Sequence, residues 1–382
     1  MTLQSQQTRI VTITPPGAGG GAPLSCVSSP AANTTLSSGD TAAGGGGGAA
    51  MEGSKVYALG QNTPRLLVYD VSNPAAMSKV GDQLLNAGAF AVNQPAPTAA
   101  IGVLSSKAYI ANYPNAGNVI LGVYDCTNPG AITQAGTFTL GGAGTTNGSP
   151  RRVGVFTVGA DTFAAVGFND IVNILKCTNP AAITSVATVT VPDVAGNGVD
   201  GVFVFNKVLF ATTNGLSTGD FRAKAWSVST PSAPSLLWDT AITYPAPFTL
   251  PDVYVANQNG LPVAVVVVQS LVGHGGLQIL NGQTGAILGQ VVFISSLAVA
   301  GDGQAWVDPV AGGCCEVTLK NGATLRLVNI SDPTNPSVVS DVSLSGQYNT
   351  VAGPSSGTAT SVFSTGTVGG GDNTLKIESI TR

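Results

Sequence analysis

An all-β fold is what this sequence predicts: a β-propeller of seven four-stranded antiparallel blades, its ring closed by an N-terminal strand. Three observations predict it. A strand-and-turn phrase returns about every fifty residues, strand-length apolar runs surround each copy, and no sustained 3.6-residue amphipathic stretch interrupts them.

The phrase reads LLVYDVSNP at Leu66–Pro74, LGVYDCTNP at Leu121–Pro129, NILKCTNP ending at Pro180, KAWSVSTP ending at Pro231, LQILNGQTG at Leu277–Gly285 and LRLVNISDP at Leu325–Pro333. A truncated copy, LKIESITR, ends the sequence. Measured at the hydroxyl before the turn (Ser72, Thr127, Thr178, Ser229, Thr284, Ser331, Thr381), the successive spacings are 55, 51, 51, 55, 47 and 50 residues. Periods of this length belong to propellers, solenoids or arrays.

Each copy explains its own local structure. Unbroken apolar runs such as Leu66-Leu67-Val68-Tyr69 suit a strand covered on both faces, so the phrase is an interior strand. Asp or Asn then offers an oxygen to the backbone two residues on, Ser or Thr does the same, and Pro sets φ while removing an N–H. The strand stops there.

Three further strand-like runs accompany each phrase. In one repeat the four strands are expected at Arg151–Val158, Thr162–Phe168, the phrase, and Ala182–Val191; in the next, at Val199–Phe205, Lys207–Thr213, Arg222–Val228 and Ser235–Ile242. Seven such units form seven blades, with six and eight as the alternatives. The last copy, Thr374–Thr381, aligns with Thr324–Ser331, and blade seven then lacks its outer strand. Thr8–Thr14 (TRIVTIT), β-branched, alternating and followed by Pro15-Pro16, is the expected donor, closing the ring and removing an open edge. The domain organisation expected is an N-terminal arm over 1–50, with the closing strand at about 8–14 and Gly-rich segments at Gly17–Gly21 and Gly44–Gly48, and the propeller over 51–382.

Leu66–Pro74, preceded by Lys55-Val56-Tyr57-Ala58-Leu59, resembles the repeat of propeller proteins named for their L-V-I-V-D consensus, and the match recurs from about Met51 to Arg382. Those proteins are mostly secreted or surface-attached, so the resemblance implies a binding or scaffolding platform. Leu277–Gly289 is similar instead to the docking repeat of quinoprotein dehydrogenases, but Asn281 replaces its Asp and its Trp is absent, so no cofactor is expected.

Composition narrows the function. Charged residues make up only 9% of 382, and the net charge is −4 with a pI near 4.9. A surface of Gly, Ala, Ser, Thr and Asn suits packing against other proteins. The single basic doublet, Arg151-Arg152, makes no nucleic-acid footprint. The most apolar run, Val263–Val268, is far shorter than the ~20 residues of a membrane helix and reads as a buried strand. The N-terminus lacks the pattern of a secretory signal, so export by that route is not expected.

Reactive residues are few. Cys126 and Cys177 share the repeat position of Val71, Val228 and Ile330, and read as small core residues. Cys314-Cys315 is expected in a long connection, 308–321, between the second and third strands of blade six, as a reduced pair. His274 is the only histidine and reads as a surface loop residue, leaving no catalytic triad. Asp70, Asp125 and Asp332 are accounted for by turns. Asp193, Asp200, Asp252 and Asp302 fall near blade entrances, where convergence on the axial channel is the one remaining carboxylate reading. No catalytic, cofactor or metal residue is assigned.

The expectation is therefore a non-enzymatic structural or interaction propeller in a large assembly with other protein subunits, in the first instance a tailed-phage virion component of the tail, nozzle or head surface. The alternative is a secreted or surface-attached propeller recognising carbohydrate or protein, including a host-surface glycan or protein. Neither nucleic-acid binding nor membrane insertion is expected.

Overall fold

The computed structural model describes residues 29–35, 48–60, 65–72, 78–85, 99–112, 118–142, 153–191, 198–214, 221–242, 248–258, 261–270, 274–294, 304–307, 314–318, 324–330, 332–343, 359–365 and 375–381. These residues form strands and two 3-10 turns.

The first strand, β1 (Ser29–Thr35), is set apart in the sequence. Sheet one follows with β2 (Gly48–Glu52), β3 (Lys55–Gly60), β4 (Arg65–Asp70) and β5 (Ser78–Leu84). Sheet two holds β6 (Ala99–Leu104), β7 (Lys107–Asn112), β8 (Asn118–Asp125) and β9 (Thr133–Gly142). Sheet three holds β10 (Val153–Val158), β11 (Asp161–Phe168), β12 (Ile171–Lys176) and β13 (Thr184–Thr190). Sheet four holds β14 (Gly198–Phe205), β15 (Val208–Asn214), β16 (Arg222–Ser227) and β17 (Ser235–Ala241). Sheet five holds β18 (Phe248–Gln258), β19 (Leu261–Ser270), β20 (His274–Asn281) and β21 (Ile287–Ile294). Sheet six holds β22 (Gln304–Val307), β23 (Cys314–Thr318), β24 (Thr324–Asn329) and β25 (Ser337–Ser343). β26 (Ala359–Thr365) and β27 (Leu375–Thr381) end the series.

Six sheets are four-stranded antiparallel meanders in chain order, and the seventh has the order β1-β27-β26. The strands expected in the third and fourth repeats are present within a few residues of their expected limits. First strands line up side by side: β2 against β6, β6 against β10, β10 against β14, β14 against β18 and β18 against β22, while β2 also meets β26. This is the face-to-face blade packing of a β-propeller, with the first strand of each sheet innermost and the fourth outermost.

The N-terminal segment does join the last sheet, but through different residues from those expected. β1 pairs antiparallel with β27, from Ser29 opposite Thr381 to Thr35 opposite Lys376. Since β27 aligns with the third strands of the other sheets, Ser29–Thr35 takes the outer position expected of Thr8–Thr14, a segment outside the described residues. The reason is local: β-branched alternation marked TRIVTIT, whereas SPAANTT looks like a turn. An outer strand tolerates Pro30, because a bulge between Pro30 and Ala32 absorbs the irregularity and only one edge needs donors. β2 also begins at Gly48, so the end of the Gly-rich run is strand.

The cores lie between sheets. Tyr57, Leu59, Leu66 and Val68 of sheet one pack on Ile101, Ala108, Ile110 and Tyr124 of sheet two, and similar clusters join sheets two to three, three to four and four to five. Third strands are buried along nearly their whole length, as in Leu66–Tyr69 and Val172–Leu175, which is what their unbroken apolar runs imply. Cys126 and Cys177 are buried and free, beside the equivalently buried Val71, Val228 and Ile330.

One feature common to six sheets has no obvious sequence mark. The outer strand carries a bulge three residues in, so that Tyr69 faces Lys79 while Val68 faces Gly81, and Trp226 faces Leu236 while Ala225 faces Trp238. The same slip occurs in sheets two, three, five and six. Just beyond it, outer-strand glycines let the next sheet approach. A Cβ on Gly81 would lie 2.5 Å from the Pro129 carbonyl oxygen, one on Gly289 2.5 Å from that of Pro333, and one on Gly136 closer still to that of Pro180. The phrase proline thus ends a strand and also seats its turn on the neighbouring blade. Between sheets four and five the pairing is inverted. Trp238 stands where the glycine would be and donates its indole N–H to the Gly282 carbonyl at 3.0 Å, against a turn with Gly285 in place of proline.

Candidate functional site

The polar atoms of the repeated phrase are consumed by its own turn. Asp70 accepts from the Ser72 amide at 2.8 Å and Asp125 from the Thr127 amide at 2.9 Å; Asn281 does the same for Gln283 at 2.9 Å. Three residues on, Asn128, Asn179 and Asp332 accept from the amides of Gly130, Ala181 and Thr334. These bonds hold the carboxyls below the ordinary range: the Ser72 amide acts on Asp70, the Thr127 side chain and amide on Asp125, and the Thr334 side chain and amide on Asp332. In sheet three Lys176 occupies the acidic position, and Asp161 from the adjoining hairpin answers it, bonding Lys176 at 2.7 Å and Thr178 at 2.9 Å. Its carboxyl is lowered chiefly by Lys176.

The reactive residues singled out by sequence are not brought together. Asp200 is buried on β14 and Asp252 lies on β18, both innermost strands, while Asp193 and Asp302 are outside the described residues. Among the described residues no group of three or more His, Cys, Asp or Glu is placed to hold a metal. His274 is not a loop residue: it opens β20, in register with Ile294. Cys314 and Cys315 also move from their expected place. They begin β23, the second strand of sheet six, in register with Asn329 and Val328, and the long connection is 308–313 between the first and second strands. Strand spacing in that repeat was misread because Gly312-Gly313 and Gly322 both look like strand ends. Cys26 and Arg151-Arg152 lie outside the described residues.

Burial holds the thiols and phenols uncharged. It pushes Cys126 up to about 11, Cys177 to about 12, and Tyr57 and Tyr109 to about 12, and raises Tyr124 as well. Buried thiols of this kind are poor nucleophiles at neutral pH. Ion pairs tie third to fourth strands. Arg222 and Lys224 both reach Asp239, at 2.6 and 3.1 Å, and Arg65 and Lys79 both reach Asp82, at 2.6 and 3.2 Å. Glu52 clamps two sheets, its two carboxylate oxygens accepting from the amides of Ser105 and Ser106 at 2.5 and 2.7 Å. Those serines form the β6–β7 hairpin with φ of 53° and 55°, a conformation that favours Asn and Gly.

What remains unabsorbed is the outer rim. The outer-strand residue opposite the last apolar residue of the phrase is Lys79, Gln134 and Ser185 in sheets one to three, but Leu236, Ile287 and Val338 in sheets four to six. These three are 56%, 44% and 45% exposed, and Leu237 beside the first is also exposed. They are joined by direct packing. Trp238 and Thr240 bond the turn that leads into Ile287, and Gly289 lies against Pro333 and Pro336, just before Val338. One side of the rim is therefore an apolar row and the other a polar one. The signal was present in the aligned repeats, but an exposed leucine in an outer strand is indistinguishable by sequence from a buried one.

These features define a β-propeller whose chemistry serves its scaffold. The chain is similar to the WD40 repeats of RRP9, with a TM-score of 0.61 at 10% identity over 93% of this chain and 100% of that one. It is similar to the WD40 domain of Toxoplasma gondii coronin, with a TM-score of 0.58 at 11% identity over 88% and 80%. Kuenenia stuttgartiensis hydrazine synthase gives 0.61 at 10% identity over 83% and 92%. No family model and no curated protein matches the sequence. At such identities the likeness is one of fold.

Proposed function

We propose that this chain is a non-enzymatic interaction propeller, one subunit of a larger protein assembly, and that it docks through the outer rim of sheets four to six. The observation that carries this reading is the row Leu236, Ile287 and Val338, exposed where the equivalent residues of sheets one to three are polar. Apolar side chains on outer strands without charged neighbours invite association, and natural monomers guard such edges with Lys. Lys79 provides that guard in sheet one.

The narrower form of the proposal is a tailed-phage virion component, supported by the 9% charged residues and the Gly-rich N-terminal segment. A second reading, a secreted or surface-attached propeller recognising carbohydrate or protein, draws on the likeness of Leu66–Pro74 to L-V-I-V-D repeats. Light scattering of the purified chain, with its size in native extracts, separates the two. Stoichiometric presence in a large particle supports the first. A persistent monomer, absent from any particle and binding glycans on an array, sinks it.

A further inference from the structure

The segment Thr8–Thr14 was marked by sequence as a strand, yet the position it was expected to fill is taken by β1. An unassigned strand-like segment and an uncovered apolar row thus occur in one chain. Their placement relates them. β1 begins at Ser29 opposite Thr381, at the C-terminal end of a third strand, which is the end where the phrase turns lie. Outer strands all begin at that end, and Leu236, Ile287 and Val338 are each at or next to the first residue of theirs. The chain preceding Ser29 therefore leaves the molecule at the end and the rim where the row lies.

Sheet six is the sheet before sheet seven in the chain, and β25 is its outermost strand, with no partner beyond it among the described residues. Residues 15–28 reach up to roughly 45 Å when extended at about 3.3 Å per residue, and their Pro and Gly content opposes any regular structure that would shorten them. Charge agrees with this placement. Arg9 is the single charged side chain in 1–28, and β17, β21 and β25 carry Asp239 and Asp341 but no Lys or Arg. β5, at the polar side of the rim, carries Lys79.

We propose that Thr8–Thr14 of the same chain adds to the free edge of β25 as a fifth strand and lays its Ile and Val side chains over the Val338–Ile287 part of the row. The N-terminal segment is then a strap over the docking surface, displaced when a partner binds. This rests on the assembly reading above. Strand addition of this kind takes affinity from edge hydrogen bonds and specificity from alternate side chains.

Hydrogen exchange on the full chain, a chain lacking residues 1–16, and an Ile10→Ser/Ile13→Ser chain tests it, alongside sedimentation. Both altered chains retain β1. The expected result is exchange about tenfold or more faster at β25 amides in both, with β1 and β4 unchanged, and a monomeric full chain. Equal exchange at β25 in all three overturns the strap, as does protection lost on β1 instead. Concentration-dependent protection with a dimeric full chain also overturns it, by making a second copy the occupant. The two proposals fail separately. A truncated chain that exposes β25 without associating with anything defeats the assembly reading alone. A full chain that already associates through Leu236, Ile287 and Val338, unaffected by truncation, defeats the strap alone.

Discussion

Replacing Gly136 by alanine puts a methyl group into the contact that spaces sheets two and three. The added Cβ meets the Pro180 carbonyl oxygen and carbon, then the Ala181 amide nitrogen at 3.3 Å, so backbone rather than a flexible side chain must give way. Either the 3-10 turn Pro129–Ala131's counterpart at Pro180–Ala182 shifts, or the sheets part and loosen the cluster of Tyr109, Val123 and Ala164. Overpacking of this type costs about 1–3 kcal/mol. Against it stands the unfolded-state gain of Gly→Ala, about 0.4–1 kcal/mol. The net expectation is destabilisation of about 1–2 kcal/mol, or roughly 0.5–1 M in urea midpoint for a slope of about 2 kcal/mol/M. Urea unfolding followed by far-UV dichroism and tryptophan fluorescence reads it. The internal control is Ala187, which occupies the same outer-strand place in sheet three with its Cβ already accommodated. Ala187→Gly should lower stability by about 0.5–1 kcal/mol. A Gly136→Ala chain more stable than the parent would refute the seating of the phrase proline on the neighbouring blade.

Trp238→Ala should cost about 3–5 kcal/mol by leaving a cavity and an unpaired Gly282 carbonyl, read as the largest midpoint loss among single outer-strand variants. Ser106→Gly should raise stability by about 1 kcal/mol, since φ of 55° suits glycine, whereas Glu52→Gln should lower it by about 1–2 kcal/mol through weakened bonds to the hairpin amides. The turn carboxyls Asp70, Asp125 and Asp332 titrate below the unfolded value, so their stabilisation is present above about pH 4 and is lost as pH falls through the folded values. Melting temperatures between pH 7 and pH 2 should show that decline, and Asp125→Asn should flatten part of it, because Asn281 already plays the same role in sheet five. Alkylation at pH 8 followed by peptide mapping should leave Cys126 and Cys177 unlabelled in the folded chain and label both in denaturant. Deleting residues 1–16 should leave the melting temperature unchanged, whereas deleting 1–36 removes β1 and should lower it.

The scaffold was readable because its signals are local and repeated. Leu66–Tyr69 announces a doubly covered strand, Asp125 and Asn128 announce their turns, and the fifty-residue period multiplies each signal. The errors arose where one local signal met another of equal strength. Ser29–Thr35 holds its place by pairing with β27 from the far end of the chain, a long-range constraint that SPAANTT does not advertise. Cys314-Cys315 was assigned to a connection because glycines flank a short strand. Contacts between blades left only half a trace. Gly81 and Gly136 were visible as glycines, but their reason is the carbonyl of a proline in the next repeat. The rim row required knowing which apolar residues the bulged outer strands turn outward, and that is a property of register rather than of composition.

The claim that this propeller acts through one side of its rim meets its most direct test in the size of the native particle containing it. Two triple variants should be compared in the source extract, Leu236→Ser/Ile287→Ser/Val338→Ser and, at the equivalent polar places, Lys79→Ala/Gln134→Ala/Ser185→Ala. The account predicts that the first sediments as free chain with an unchanged melting temperature, while the second stays in the particle. Retention of the first variant in the particle, or equal loss of both, would contradict it.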